Sequence, residues 1–253
     1  MEQTKPATAT SVHEHALLKK VLRTLHLWEF GYHVREFFCQ LLRVDYIRRL
    51  VDIVRYLYYA GLLRRMRILE PDGLRVDAVK HNMAQMRKWM GVSRSNHLLY
   101  PLSALHLSKA SPVLSIGPRT EGEILNLMAM GFHNVRAVDL ISYSPWVDLG
   151  DMHAMPYKDH EFAIVIMGWV LAYSLTQEKA AQEVIRVTRN GGIIVVGVQY
   201  HTKTLKQFYK KLESVQEILA LFAPHVDRVL FSQDLPDHPC TKWELMVMFS
   251  IKK

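Results

Sequence analysis

The apolar run at residues 162–167 (FAIVIM) is the sequence feature that most restricts the fold of this chain. A strand with one buried face alternates apolar and polar residues, whereas a strand covered on both faces reads as a continuous apolar run. The surrounding charge-free stretch, residues 162–177, has 16 residues. That is fewer than the roughly 20 that a membrane-spanning helix needs. The run therefore predicts a buried strand of a parallel sheet with helices on both sides.

Segments with strand and helix patterns alternate along residues 111–253. The predicted strands are residues 112–117, 135–139, 146–149, 162–167, 193–198, 228–232 and 244–251, and the predicted helices are residues 124–130, 177–188 and 205–222. Thr120 and Glu123 have the spacing of a capping box at the start of the first helix, and Gly131 is placed to end it in the left-handed conformation. The alternation predicts an α/β fold with a doubly wound, mostly parallel sheet, closed by a pair formed from the last two strands.

The charge of the chain is unevenly distributed. Its 253 residues carry 32 Lys and Arg against 24 Asp and Glu, a net charge of +8. Residues 1–110 contain 18 basic and 9 acidic residues, whereas residues 111–253 contain 14 and 15. The first part has few Gly and a helical spacing of apolar residues, which predicts helices near residues 47–58 and 76–90. We expect a basic helical region in residues 1–110 and an α/β domain in residues 111–253, connected through residues 100–112.

The arginines of the N-terminal region have two interpretations. They either form a solvated helix face that also covers apolar neighbours, or attract an anionic partner such as a nucleic acid or a membrane surface. The first is the commoner role of charged runs. The residues concerned are Arg48, Arg49, Arg55, Arg64 and Arg65.

Composition and cysteine count exclude several classes of protein. With 49% hydrophobic and 22% charged residues, the chain has the composition of a globular protein. Cys39 and Cys240 are too few for a disulfide framework or a multi-cysteine zinc site, and we expect no metal. Residues 1–11 are polar and lack the apolar core of a signal peptide, so we expect a cytoplasmic protein.

Two predicted strands end in residues suited to a nucleotide. Gly117 follows the first strand, where a glycine lets backbone N–H groups approach a ligand closely. Asp139 ends the second strand, 22 residues later, and an acid there can accept hydrogen bonds from ribose hydroxyls. A tight turn and a helix cap would explain the same two residues, so the pair alone does not establish a site.

Four segments, in this order, resemble class I S-adenosylmethionine-dependent methyltransferases. Residues 113–124 (VLSIGPRTEGEI) are similar to the strand and glycine loop of the family's first motif, and residues 135–141 (VRAVDLI) to its second strand. Residues 149–174 (LGDMHAMPYKDHEFAIVIMGWVLAYS) resemble its adenine-contacting loop and fourth strand. Residues 183–196 (EVIRVTRNGGIIVV) resemble its fifth strand with the preceding helix and Gly-Gly turn. The resemblance covers residues 111–253 and implies a Rossmann-like fold with seven strands, and S-adenosylmethionine as cofactor.

The resemblance also implies roles for individual residues. Gly117 would approach the methionine part of the cofactor, Asp139 the ribose, and Asp151 with Met152 the adenine. Trp169 would lie on the methionine-facing side, near the substrate entrance. The cofactor-binding residues are thus predicted to be Gly117, Pro118, Arg119, Asp139, Leu140, Asp151, Met152 and Trp169.

The first motif departs from the family pattern at two positions. Ser115 stands where an acid is usual, and Arg119 stands at the second glycine position. A missing glycine can block the close approach of the backbone, whereas an arginine can pair with the cofactor carboxylate. A solvent-facing Arg119 is the third alternative.

Methyl transfer needs a positioned acceptor, and a general base only if the acceptor loses a proton. His153, Tyr173, Tyr200 and His201 lie near predicted strand ends and are the candidates to orient or deprotonate it, although each also suits packing or a surface position. We expect a methyltransferase with an unidentified acceptor, to which the N-terminal helices give a lid or docking surface. The alternatives are a methyltransferase-like scaffold without cofactor and a nicotinamide-dependent dehydrogenase, which the glycine spacing fits less well.

Overall fold

The computed structural model describes residues 27–69, 79, 82–84, 86, 90, 95–174, 176–201, 212–237 and 242–253, excluding the side chains of residues 27–30, 201 and 242. Nine strands lie in these residues: β1 (Arg67–Ile68), β2 (Val113–Ile116), β3 (Val135–Asp139), β4 (Ile141–Ser142), β5 (Val147–Leu149), β6 (Phe162–Gly168), β7 (Thr188–His201), β8 (Val226–Gln233) and β9 (Lys242–Ile251). The α-helices described are α1 (Leu27–Arg43), α2 (Asp45–Tyr56), α3 (Asn96–Ala104), α4 (Gly122–Ala129), α5 (Gln177–Val187) and α6 (Val215–Phe222).

Seven strands form one sheet in the order β5-β3-β2-β6-β7-β9-β8. The first five are parallel, and β9 runs antiparallel to both β7 and β8. Strand β2 is paired with β3 from Val113↔Val135 and with β6 from Val113↔Ile164. The predicted doubly wound, mostly parallel sheet is confirmed, including its closing pair of strands. Strands β1 and β4 form a separate two-stranded antiparallel sheet.

Both faces of the sheet are covered, which explains the continuous apolar run in β6. On one face, Phe162 and Val165 join a core with residues of α5 and α6, such as Val184 and Phe222. On the other face, Ile164 belongs to a core that contains residues of α3 and α4. Alternate residues of one strand are therefore buried on opposite sides.

Several predicted element boundaries need correction. Pro101 does not open a connection but lies inside α3, because Leu98, Leu99 and Leu102 of that helix are buried in the core. Strand β7 begins at Thr188 rather than residue 193, since Thr188 already pairs with Phe162. Helix α6 begins only at Val215, where the Ser214 side chain accepts a hydrogen bond from the Glu217 N–H. Residues 205–211 of the predicted helix lie outside the described residues.

The predicted capping box is also wrong. Helix α4 has Glu121 at its N-cap without a side-chain cap, and Thr120 Oγ1 accepts only from the Gly122 N–H (3.2 Å). Glu123 accepts a hydrogen bond from the Ser115 hydroxyl (2.5 Å) instead of returning to the cap. At the C-terminal end of α4, Gly131 has the predicted left-handed conformation, with φ +92°.

The N-terminal region contains helix α2 near the predicted position and the unpredicted helix α1. A π-helical turn, Leu57–Leu62, continues α2. Of the predicted helix at 76–90, residues 79, 82–84 and 86 are helical and most of the remainder lies outside the described residues. Arg43 at the end of α1 donates to the Ala129 carbonyl at the end of α4 (3.1 Å), which attaches α1 to the α/β part.

Polar side chains attach α2 to the α/β part. Arg55 makes a two-pronged ion pair with Glu121, whose side chain is fully buried, and its guanidinium lies 3.4 Å from the ring centroid of Trp146. Asp52 is buried beside the Tyr143 hydroxyl. Arg48 is 3% exposed and the side chain of Arg55 is 22% exposed, so neither belongs to a solvated helix face. Arg49, Arg64 and Arg65 are exposed.

Candidate functional site

A cleft of about 1030 Å³, partly open to solvent, lies where β2, β3 and β6 end. This is the edge of a doubly wound sheet at which ligands bind. The residues that line it include Asn82, Ser95, Ile116, Gly117, Pro118, Arg119, Thr120, Glu123, Val138, Asp139, Leu140, Gly150, Asp151, Met152, His153, Gly168, Trp169, Val170 and Tyr173. All eight predicted cofactor residues are in this set.

The loop after β2 has a conformation that favours glycine at two positions. Gly117 adopts φ +68°, and a Cβ there would lie 2.3 Å from Cγ1 of Val170, so a side chain at this position would force a rearrangement. Arg119 adopts φ +63° although it is not glycine. Residue 119 thus has a left-handed backbone although its side chain carries a Cβ.

Trp169 faces the same cleft with φ +59°. A non-glycine residue in this region of backbone space costs about 1–3 kcal/mol and is retained where the surroundings hold it, often at functional sites. Trp169 follows β6 directly, and its N–H donates to the Gly197 carbonyl on the neighbouring strand (2.8 Å). Two strained residues, Arg119 and Trp169, thus line one cleft.

Asp139 ends β3 and is bound by the glycine loop. Its Oδ2 accepts from the Arg119 N–H (2.8 Å), and its Oδ1 accepts from the Ile141 N–H (3.2 Å). Each carboxylate oxygen can accept a further hydrogen bond. Burial raises the pKa of Asp139, while the two N–H donors act in the opposite direction. A fixed carboxylate with remaining acceptor capacity suits a pair of neighbouring hydroxyls.

A second carboxylate, Asp151, is held by a histidine. His153 Nδ1 lies 2.6 Å from Asp151 Oδ1, and its Nε2 lies 2.6 Å from the hydroxyl of buried Ser174. Burial alone would raise the pKa of Asp151, but the hydrogen bonds from the His153 side chain and backbone outweigh it and lower that pKa. Because both ring nitrogens are engaged, His153 in this arrangement orients Asp151 rather than facing an acceptor.

The four predicted acceptor-side residues are placed differently. His153 and Tyr173 line the cleft, Tyr173 from a short 3₁₀ helix, Leu171–Tyr173, after β6. Tyr200 lies near the end of β7, paired with Trp243 of β9, and is not among the lining residues. His201 ends β7, and its side chain lies outside the described residues. The roles of all four stay predictions.

The N-terminal region contributes residues that the sequence patterns did not indicate. Asn82 lines the cleft and accepts a hydrogen bond from Arg119 Nη2 (2.7 Å), so Arg119 is directed toward another part of the protein. Ser95, just before α3, also lines the cleft. No motif marks either residue, since only the folded chain brings residues 82 and 95 to the loop at 117–119.

The described part of the chain has neither a metal-binding cluster nor a membrane-spanning helix. No group of three or more His, Cys, Asp or Glu side chains there could hold a metal ion. No helix there is both long and apolar enough to cross a bilayer. The predicted cytoplasmic location is not tested by either finding.

Comparisons with known proteins concern the family and the fold of the chain. Residues 114–196 match the family model described as a methyltransferase domain. The structure of 1,6-didemethyltoxoflavin-N1-methyltransferase from Burkholderia thailandensis, solved with its substrate and S-adenosylhomocysteine, matches at a TM-score of 0.52 and 14% identity, over 74% of this chain and 95% of that one. A SAM-dependent methyltransferase from Aquifex aeolicus matches at a TM-score of 0.47 and 15% identity, over 65% and 97%. A search of curated proteins finds no match.

The family match and the fold indicate a methyltransferase domain. The family model covers strands β2 to β6 and most of the loops around the cleft, and the Burkholderia structure shares the fold. Residues 114–196 thus match a methyltransferase domain, which agrees with the resemblance to class I S-adenosylmethionine-dependent methyltransferases identified from the motifs.

Proposed function

We propose that this chain is an active methyltransferase that binds S-adenosylmethionine in the cleft formed by β2, β3 and β6. The observation that carries the proposal is the meeting of two oriented carboxylates, Asp139 and Asp151, at one cleft with a left-handed glycine loop. Apolar Val138, Leu140 and Met152 line the same cleft. An apolar wall between polar contacts suits a flat base attached to a ribose.

The residues fit the cofactor part by part. We assign Asp139, which has remaining acceptor capacity, to the ribose hydroxyls, and Asp151, adjoining Met152, to the adenine amine. Gly117 brings the backbone close to the cleft, where the methionine part would lie. When bound, the cofactor supplies a methyl group activated by a positive sulfur. Gly117, Asp139 and Asp151 would hold the cofactor, and it would supply this methyl group to the acceptor.

The protein's part in this reaction is to hold the acceptor in line and exclude water. Tyr173 lines the cleft beyond Trp169 and is the residue that we propose orients the acceptor. His153 is engaged with Asp151 and Ser174, so we assign it to positioning the adenine site. We propose that the basic region, residues 1–110, provides the acceptor-facing side, because Asn82 and Ser95 belong to the cleft wall. The acceptor could be anionic, which the arginines of this region would favour.

Calorimetric titration with S-adenosylmethionine tests the proposal. We expect binding by the full chain and a ten- to hundredfold weaker affinity for Asp139→Asn, the usual effect of losing a hydrogen bond to a charged group. Asp227→Asn, on exposed strand β8, is the matched control and should bind normally. No heat at millimolar ligand would overturn the proposal. Binding that is absent in the parent and present in Arg119→Gly would indicate a scaffold, and binding of NAD instead would indicate a dehydrogenase.

A further inference from the structure

Helix α2 and its π-helical continuation, Leu57–Leu62, expose apolar residues and bury charged ones. Residues at intervals of four are exposed: Tyr46 86%, Leu50 61%, Val54 54%, Tyr58 48% and Leu62 73%. We call these five residues the apolar ridge. On the inner side of α2, Arg48 and Asp52 are 3% and 0% exposed. Ile53 and Tyr56 of the same helix pack, partly buried, against a core cluster. The helix therefore has apolar residues on two sides, and an exposed apolar row of this length marks an interaction surface.

The π-helical turn extends the ridge. In an α-helix, residues four apart drift around the axis because a turn has 3.6 residues. The turn at Leu57–Leu62 is wider, since the Leu63 N–H donates to the Tyr58 carbonyl, five residues earlier (2.9 Å). A wider turn opposes the α-helical drift and keeps Tyr58 and Leu62 exposed after Val54. Single π-turns of this kind are frequent at functional sites.

The charges beside the ridge are almost all positive. Arg49 adjoins Leu50, and Arg64, Arg65 and Arg67 follow Leu62, all four exposed. Among the side chains described in residues 31–69, Asp45 is the exposed acid, and it is paired with Arg48. An apolar surface bordered by exposed arginines is complementary to a surface that offers hydrocarbon and negative charge together.

We propose that the apolar ridge docks on the surface of a bilayer that contains anionic phospholipids. Leucine and valine gain free energy in the acyl region, tyrosines suit the headgroup boundary, and arginines pair with lipid phosphates. Nucleic acid fits less well, because aliphatic side chains do not stack on bases as aromatic ones do. A second copy also fits less well, since a symmetric contact between two ridges would bring the same arginines together.

Docking through the ridge holds the cleft near the membrane. Arg55 follows Val54 in α2 but extends inward and pairs with buried Glu121. Glu121 is two residues from Arg119 in the cleft wall. The docking itself does not depend on methyl transfer, so it is tested separately from the proposed function.

Vesicle flotation of the full chain is the test. The vesicles are phosphatidylcholine with about one part in three phosphatidylserine, compared with pure phosphatidylcholine. We expect flotation with the anionic vesicles that weakens in high salt and with the neutral ones. Replacing Leu50 and Leu62 by Gln should weaken binding about tenfold for each leucine. Replacing Arg64 and Arg65 by Gln should weaken it roughly fivefold for each arginine.

The matched control is Tyr100→Gln, which removes an equally large, 59% exposed side chain from α3. It should float like the parent. The variant in which Leu50 and Leu62 are replaced by Gln, called the ridge variant, should keep the parental thermal midpoint because both leucines are exposed. No flotation of the parent with anionic vesicles, or equal flotation of the ridge variant, overturns the proposal. The proposal is also overturned if the parent forms a dimer that the ridge variant does not form, or if the parent binds RNA and the ridge variant does not. A lower thermal midpoint of the ridge variant with unchanged flotation overturns it as well. These outcomes assign the ridge to a second copy, to nucleic acid or to another part of this chain.

Discussion

The ion pair between Arg55 and Glu121 gives the sharpest test of how the N-terminal helices are attached. Glu121 has a fully buried side chain, and Arg55 is 22% exposed. Arg55→Ala leaves the carboxylate buried with the Ser144 hydroxyl and without its countercharge. Breaking a buried pair in this way costs about 3–5 kcal/mol. Because Arg55 is partly exposed and Ser144 remains, we take the lower end, about 3 kcal/mol.

The expected loss is large enough to measure by thermal or urea unfolding followed by circular dichroism. For a chain of this size, about 3 kcal/mol lowers Tm by roughly 6–12 °C. Arg49→Ala is the matched control, since Arg49 is an exposed arginine on the same helix, and its free energy of unfolding should change by no more than about 0.5 kcal/mol.

A double-mutant cycle with Glu121→Gln separates the pair from its surroundings. If the two side chains stabilise the protein through each other, the double variant should lose about 2 kcal/mol less than the sum of the single variants, within the range for residues in contact. Additive losses, or an Arg55→Ala protein that melts like Arg49→Ala, would refute the reasoning. In that case α2 would be attached mainly by its apolar contacts, such as Tyr56 on Tyr143.

Three further predictions concern the cleft. Burial raises the pKa of Asp139, and a protonated carboxyl accepts fewer hydrogen bonds. As the pH is lowered, the affinity for S-adenosylmethionine should therefore begin to fall at a higher pH than it would with an ordinary aspartate. Calorimetry across pH measures this, and an affinity that does not change with pH would contradict it. His153→Ala should raise the pKa of Asp151 and weaken cofactor binding. At saturating cofactor it should leave the acidic limb of the kcat–pH profile unchanged, because a shifted acidic limb would instead make His153 a general base. Gly117→Ala should lower Tm and cofactor affinity, because its Cβ would lie 2.3 Å from Val170 Cγ1 and the left-handed backbone costs about 1–2 kcal/mol. Val170→Ala in the same chain should restore part of both, and no restoration would rule out the clash.

The α/β part was predictable because its patterns have one dominant cause. Continuous apolar runs and acids or glycines at strand ends follow from a sheet covered on both faces, and β3, β6 and their loops lie where the sequence predicted. The same patterns gave the order in which Gly117, Asp139 and Asp151 reach the cleft. Errors there are local, as at the start of β7, where Thr188 already pairs with Phe162 although the strand was predicted from residue 193.

The N-terminal region was less predictable because its helices do not bury one apolar face. In α1, Tyr32, Phe37 and Phe38 are exposed, so the apolar residues in the sequence do not identify the side of the helix that is buried. In α2 the apolar spacing is helical, but the pattern cannot show that the polar side faces inward. That orientation depends on Glu121 and Tyr143, which are more than sixty residues away in sequence.

The arginine at the second glycine position connects these two parts of the protein. Arg119 retains a left-handed backbone that costs about 1–2 kcal/mol for a residue with a Cβ. Its N–H binds Asp139 and its side chain binds Asn82, so its contacts extend from the predicted ribose carboxylate to the N-terminal region. Two residues on, Glu121 binds Arg55 of α2. The glycine loop is therefore held from both sides, and a fragment of residues 111–253 would lose the contacts that keep residues 119 and 121 in place. We expect the N-terminal helices to affect cofactor binding as well as acceptor binding, because the departure from the family motif has made them part of the loop's support.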